Sequence, residues 1–204
     1  MALNTFVYIR NVDNLSDARY CAGMGVEMIG FKLDESQPGS LSPPTFKEIS
    51  DWISGVKIVG EFGDLSKDQI EAFLISSTAD YLLVPEIGQL EKYASQSKPL
   101  ILQMEWNSSF DEQLAALNFS SAALDYLLIT SQKDVIDDQD RAKILELSNE
   151  YPLLLGFGLT GQNAVGIADE LGLAGISLAG SSEIRPGFKD YDELADILES
   201  LEID

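Results

Sequence analysis

The chain contains no histidine and a single cysteine, Cys21. The first absence removes the side chain that titrates nearest neutral pH and the commonest metal ligand; the second removes any internal disulfide. Zinc chemistry and Ser-His-Asp catalysis are therefore not expected, and neither is a metal or cofactor. Positive charge is scarce too: 13 Lys and Arg stand against 34 Asp and Glu, a net charge of −21. With no basic cluster along the chain, nucleic acid and anionic membrane surfaces are not expected as partners. No run reaches the roughly 18 apolar residues of a membrane span, and Met1 to Arg10 lacks both a basic start and an unbroken apolar stretch. A cytoplasmic protein is expected. No linker, charge block or low-complexity segment interrupts the 204 residues, so residues 1–204 read as one domain.

What is present is a regular alternation. Short, continuously apolar runs occur at Thr5–Arg10, Glu27–Leu33, Val56–Phe62, Asp80–Val84, Leu100–Met104, Tyr126–Ile129, Leu153–Leu155 and Gly175–Leu178, with helical patterns between them. Continuous rather than alternating hydrophobicity marks strands covered on both faces, as in a parallel sheet wrapped by helices. Asn14 or Ser16 can cap the first helix, which runs to about Met24 before Gly25. The second helix is expected over Thr45 to Ile53. Ser66 with Gln69 has the capping-box spacing for the third. Eight strand–helix units of about 25 residues fit a single (β/α)8 barrel better than a doubly wound sheet, which usually stops at five or six strands and remains the alternative.

In such a barrel the chemistry comes from the C-terminal strand ends. Those positions carry Arg10 and Asn11, Lys32 and Asp34, Glu61, Glu86, Gln103 and Glu105, Thr130 and Ser131, with Ser177 on the last strand. A mouth with Arg10, Lys32, Glu61 and Glu105 could bind a phosphorylated sugar and shuttle a proton, given a carboxylate whose pKa is raised by burial. Buried Arg–Glu pairing in a barrel without a ligand gives the same pattern. The turns after the last two strands, with Gly156, Gly158, Gly180 and Ser181, suit a phosphate held at helix N-termini; plain turn chemistry also asks for glycine there. The loop from Asp34 to Pro44 is long enough to cover a ligand. Gln37 to Phe46 and Met104 to Phe110 place apolar groups in turn-rich sequence. Trp106 is either a contact for a protein partner or packed on a neighbouring helix.

Several stretches together resemble phosphoribosylanthranilate isomerase: Gly25 to Phe31, Val59 to Phe62, Gly158-Leu-Thr160 with Asn163, and Glu183 followed by Pro186-Gly187 and Lys189-Asp190, the segment expected to start the last helix. The similarity runs from about Val7 to the C-terminus in the right order. It implies the same barrel fold, an Amadori rearrangement of an aminoaldose in tryptophan biosynthesis, and a phosphate site after strands seven and eight. That reaction needs a general acid and a general base. The family's first strand ends in a cysteine base, where this chain has Arg10, and a guanidinium cannot accept a proton at neutral pH. The family's acid aspartate closes strand six, where this chain has Thr130. Cys21 falls inside the first helix pattern and reads as structural. The seventh strand's glycine pair has become Gly156-Phe157, and Phe157 is expected to fill space that an anion would occupy.

Three readings follow. The chain is a non-catalytic relative, a pseudoenzyme that binds a small anionic or phosphorylated ligand or a protein partner. Or it is an enzyme with a repurposed mouth. Or it is a surviving isomerase, of phosphoribosylanthranilate or another phosphosugar, that uses substitute groups such as Glu61 and Glu105.

Overall fold

A computed structural model describes residues 2–76, 79–118, 122–180, 183–185, 188–189 and 192–203. Eight parallel strands close on themselves in chain order. They are β1 (Val7–Arg10), β2 (Met28–Lys32), β3 (Lys57–Glu61), β4 (Tyr81–Val84), β5 (Leu100–Glu105), β6 (Tyr126–Thr130), β7 (Leu153–Leu155) and β8 (Gly175–Ala179). The helices between and after them are α1 (Leu15–Gly23), α2 (Pro43–Trp52), α3 (Lys67–Ser76), α4 (Leu90–Ala94), α5 (Phe110–Asn118), α6 (Asp138–Ser148), α7 (Ala164–Glu170) and α8 (Asp192–Ser200). Closure comes from β1 pairing with β8 over four residues, Val7 with Ile176 through Arg10 with Ala179. The (β/α)8 expectation holds, and the doubly wound alternative does not.

Alternation along the strands splits the core in two. Tyr8, Met28, Val59, Leu83, Ile101, Leu128 and Leu154 point inward and form a separate buried cluster, with Phe6, Tyr81 and Tyr126 packed against it. The intervening residues, among them Ile9, Phe31, Leu82, Leu102, Ile129 and Leu155, face the helices and form the larger cluster. Two residues beyond Tyr8, Met28, Val59, Ile101, Leu128 and Leu154 stand Arg10, Gly30, Glu61, Gln103, Thr130 and Gly156. The inward face thus turns from apolar to polar at one level, which is the floor of the mouth.

Local chemistry sets several boundaries. Asn14 caps α1, its side chain accepting from the Asp17 amide at 2.9 Å. The Ser66–Gln69 capping box forms in both directions, at 2.9 and 3.3 Å. The second helix starts earlier than expected: Ser42 caps it, and Pro43 and Pro44 occupy its first positions. Proline has no amide hydrogen to lose there, so its fixed φ favours the start of a helix. The last helix starts later than expected, at Asp192. Before it, β9 (Glu183–Arg185) and β10 (Phe188–Lys189) pair antiparallel, while Pro186, Gly187 and Asp190 lie outside the described residues. Cys21 is buried on α1, as expected of a structural thiol. Among the described residues, no helix is long and apolar enough to cross a membrane.

Candidate functional site

Two chambers open at the C-terminal end of the barrel. The first, of about 630 Å³, lies over β7 and β8 and is lined by Gly156 to Thr160, Ser177 to Gly180 and Lys133, among others. The second, of about 570 Å³, lies over β4 to β6 and is lined by Glu86, Gln103, Glu105, Thr130 and Gln113. Arg10, Ser131, Gln132 and Gly156 border both. Arg10 is the cation between the chambers. Its Nε donates to Ser177 Oγ at 3.0 Å, a bond that follows from the β1–β8 pairing, which sets Tyr8 beside Ser177. Among the described side chains no carboxylate lies within ion-pair distance of the guanidinium, whereas Lys133, the other cation of the first chamber, is paired with Asp140 at 2.8 Å.

A buried acid lies within the field of Arg10. Glu61 is 7 % exposed, and its Oε1 accepts from Tyr8 Oη at 2.8 Å and from the Asn11 amide at 3.4 Å. Asn11 adopts a left-handed φ of 57°, a conformation asparagine tolerates better than most residues, and this turn brings its amide to Glu61. Gly30 on β2 leaves the room: a Cβ there would stand 2.0 Å from Glu61 Oε1 and 2.5 Å from Tyr8 Oη. Burial raises the Glu61 pKa above its usual value. The Tyr8 bond, the Arg10 charge, the Asn11 amide and the Lys32 charge pull against that rise without cancelling it. Tyr8 is pushed well above the usual phenol value, by burial first and then by the Glu61 charge. Lys32 pairs in register with Glu61 on the neighbouring strand.

The turns after β7 and β8 supply space more than donors. Gly156 gives its amide to Ile129 O at 2.8 Å, and Gly180 gives its own to Arg10 O at 2.6 Å. Asn163 clamps the first turn by accepting from the Thr160 amide at 2.7 Å and donating to Gly158 O at 2.9 Å. Gly158 has a φ of 65°, and a Cβ on it would meet Ile136 at 2.7 Å. Ser181 lies outside the described residues. The helix-terminus idea meets a limit here, because α7 has only seven residues and the amides of Thr160, Asn163 and Ala164 are all donated within the chain. Phe157 behaves differently from expectation. It is 5 % exposed and belongs to the outer core, with its ring centroid 6.2 Å from that of Trp106. It borders the first chamber as a wall and leaves the chamber open.

The other sequence-level candidates separate. Thr130 and Glu105 line the second chamber, on adjacent strands paired in register; Glu105 accepts only from Asn107, at 3.2 Å, among the described residues. Asp34 is 3 % exposed and turned into its own loop, where it accepts from the amide and hydroxyl of Ser36, from Gln37 and from the Asp64 amide. Burial opposes its ionisation, but these donors outweigh that and hold its carboxyl below the usual value. Trp106 is not an exposed anchor. Its Nε1 donates to Asp140 at 2.8 Å, its ring packs on Phe110, and Lys143 lies over it.

The residues missed from sequence are Tyr8 and Gly30, which frame Glu61, and the Lys133–Asp140 pair beside the first chamber. Period-two reading of the first strand would have pointed Tyr8 the same way as Arg10. Nothing in the sequence flags Gly30, whose role depends on a neighbouring strand. Among the described residues no group of three or more His, Cys, Asp or Glu is placed to hold a metal.

Comparison with known proteins shows the fold. No family model matches the chain, and no curated protein matches it by sequence. Solved structures do: phosphoribosylanthranilate isomerase from Thermotoga maritima superposes with a TM-score of 0.76 at 20% identity, and the enzyme from Thermus thermophilus with 0.75 at 19%; each match covers 97% of this chain and 98% of that one. A phosphoribosylanthranilate isomerase in complex with reduced 1-(o-carboxyphenylamino)-1-deoxyribulose 5-phosphate matches with a TM-score of 0.75 at 21% identity, over the same shares. The chain has the fold of these isomerases, with a widely diverged sequence.

Proposed function

We propose that the barrel mouth binds a small phosphorylated or otherwise anionic ligand around Arg10, and that the chain does not carry out the Amadori rearrangement of the isomerases it resembles. The observation that supports this most directly is Arg10 itself. A guanidinium held at one nitrogen by Ser177, bordering two chambers and free of any carboxylate partner among the described side chains, is a fork ready for phosphate or carboxylate. In a chain with 13 basic residues against 34 acidic ones, a cation placed at the barrel opening gives an anion a local site within an otherwise repulsive field. Gly156, Gly158 and Gly180 add close backbone approach. A solved structural neighbour carries a phosphorylated ligand, which fits the same class of molecule.

The case against the rearrangement rests on the strand ends. Arg10 cannot accept a proton, and the hydroxyl of Thr130 is far too weak an acid to donate one. One feature favours a second reading, an enzyme with substitute groups. Glu61 is a buried carboxylate with a raised pKa within the field of Arg10, the property expected of a proton-transfer residue. A protein partner docking on the Trp106 loop has no such support, because that indole is already packed and hydrogen-bonded.

Thermal-shift titration tests the binding. At a hundredfold excess over Kd, stabilisation should reach about 2.7 kcal/mol, which is roughly 5–10 °C in Tm for a domain of this size. Ribose 5-phosphate or a reduced product analogue should produce it, and Arg10→Met should abolish it. No shift with either compound or with inorganic phosphate would remove the anion site. Complementation of a strain that lacks the isomerase tests the chemistry: growth without tryptophan would overturn the inactive reading and favour Glu61 as the substitute base.

A further inference from the structure

Among the described residues, the mouth holds one arginine without a carboxylate partner and, within reach of its charge, one buried carboxylate without a cation in contact. Glu61 Oε1 is occupied by Tyr8 Oη and the Asn11 amide, while Oε2 accepts no hydrogen bond among the described residues. Asn11 is bonded to Arg10, so the carboxylate is tied to the backbone at the point where the arginine leaves β1. Tyr8 and Arg10, two residues apart on β1, both face the barrel interior. The space for this arrangement is specific, since only glycine at position 30 avoids collision with Glu61. A chain that needed only to fill its barrel would place an apolar residue here, as it does one level below with Val59, Leu83 and Ile101. It maintains instead a desolvated acid, a costly choice unless the charge has a use.

We propose that Glu61 is an internal counter-charge to Arg10, so that an anion entering the mouth is bound together with a proton taken up by the Glu61 carboxylate. This rests on the anion site proposed above and adds to it a positioning residue that sets affinity and pH dependence. With the mouth empty, Arg10 favours ionised Glu61. An anion on the guanidinium offsets that positive charge and adds its own negative charge beside the acid. Both effects favour the protonated form, and by linkage protonation of Glu61 favours the anion. The other groups bearing on Glu61 are Tyr8 on β1 and Lys32 on β2. Tyr8 stays neutral across the neutral range, because its phenol is held well above its usual value. Lys32 stands in register with Glu61 on the neighbouring strand. On β4 the residue paired with Glu61 is Leu83, which does not titrate. Glu61 is thus the group of this set that responds to both the anion and pH.

The experiment is a carbon-detected NMR titration of the Glu61 carboxyl in the full chain, with and without saturating inorganic sulfate, in the wild type and in Arg10→Met. Sulfate is chosen because it does not titrate near neutrality, whereas phosphate does. The Glu61 midpoint should rise in Arg10→Met without any ligand, and should rise in the wild type when sulfate is added. Sulfate affinity should increase about tenfold for each unit by which sulfate raises that midpoint, as pH falls through it, with proton uptake seen by calorimetry in buffers of different ionisation enthalpy. Glu61→Gln, which keeps the acceptor for Tyr8, should bind sulfate more tightly than the wild type above the midpoint, by that same factor, and lose the pH dependence.

An unmoved Glu61 midpoint in Arg10→Met, or a variant that binds sulfate with the wild-type affinity and pH profile, would overturn the coupling. If the wild type binds no sulfate, the anion site fails on its own. The ligand-free comparison of the wild type with Arg10→Met then decides whether Glu61 senses Arg10, and with it the counter-charge proposal. Should Arg10→Met not fold, the sulfate-induced change in the wild type carries the same decision.

Discussion

Gly30→Ala probes the floor of the mouth without replacing a charged residue. An added Cβ would stand 2.0 Å from Glu61 Oε1, 2.5 Å from Tyr8 Oη and 3.0 Å from Glu61 Cδ. The strand cannot retreat, because β2 is locked in register between β1 and β3. Glu61 must therefore swing away, which breaks its bonds at 2.8 and 3.4 Å and leaves the Tyr8 hydroxyl buried without an acceptor. Overpacking a filled core costs about 1–3 kcal/mol, and an unsatisfied buried polar group about 1–3 more, so the variant should lose roughly 2–6 kcal/mol. Urea unfolding should show this as a lower midpoint with an unchanged slope. The decisive comparison is a double-mutant cycle with Glu61→Ala, which removes the nearer of the two groups that are struck. In that background Gly30→Ala should cost clearly less than in the wild type, since only the 2.5 Å approach to Tyr8 Oη remains and the orphaned hydroxyl is already counted. Additive losses in the cycle, or a cost below about 0.5 kcal/mol for Gly30→Ala alone, would refute the idea that this glycine exists to admit Glu61.

Other perturbations have equally definite outcomes. Gly158→Ala combines a left-handed φ of 65° with a 2.7 Å approach to Ile136, and should cost about 1–3 kcal/mol in the same denaturant assay. Ser177→Ala removes the bond to Arg10 Nε; the Tm of the free protein should change little, while the stabilisation by ribose 5-phosphate should fall. Glu61 and Asp140 give stability opposite pH dependences. The Glu61 pKa is raised in the folded state, so its contribution is fully present below the unfolded value of 4.5 and is lost as pH rises through the folded value. Glu61→Gln should therefore gain on the wild type as pH rises above 4.5, measured by parallel melting curves, and a flat difference would contradict the burial effect. Burial disfavours the Asp140 anion, but donors from Lys133, Trp106 and Asp137 outweigh that and lower its pKa. Its contribution is thus present above the unfolded value of 3.8 and lost as pH falls through the folded one. Asp140→Asn should destabilise the protein at neutral pH and narrow its deficit below pH 3.8.

The sequence by itself determined the architecture. Eight continuous apolar runs at regular spacing can be buried on both faces only in a parallel sheet wrapped by helices, and their number selects closure over an open sheet. Capping residues such as Asn14 and Ser66 act within four residues of chain, so their positions were legible too. The start of α2 was misplaced because two consecutive prolines read as loop, although proline is suited to the first helical turn. The strand-end rule also placed Arg10, Thr130 and Ser177 at the C-terminal end of the barrel, since that depends only on strand order and direction.

What the tertiary structure decided were relations between strands and between turns. Phe157 reads as an obstruction in a glycine pair, yet it turns to Trp106 because its position alternates outward from Gly156 and Gly158. Trp106 reads equally as a partner contact or as packed on a neighbouring helix, and Asp140 on α6, which accepts its N–H, decides for packing. Asp34 reads as a group at the mouth, yet its carboxylate is consumed by its own loop. Gly30, which no local pattern distinguishes, is required because Glu61 and Tyr8 arrive from the strands on either side of it. Whether a side chain is free, paired or in the way depends on atoms far away in sequence, and only the closed barrel brings those atoms together.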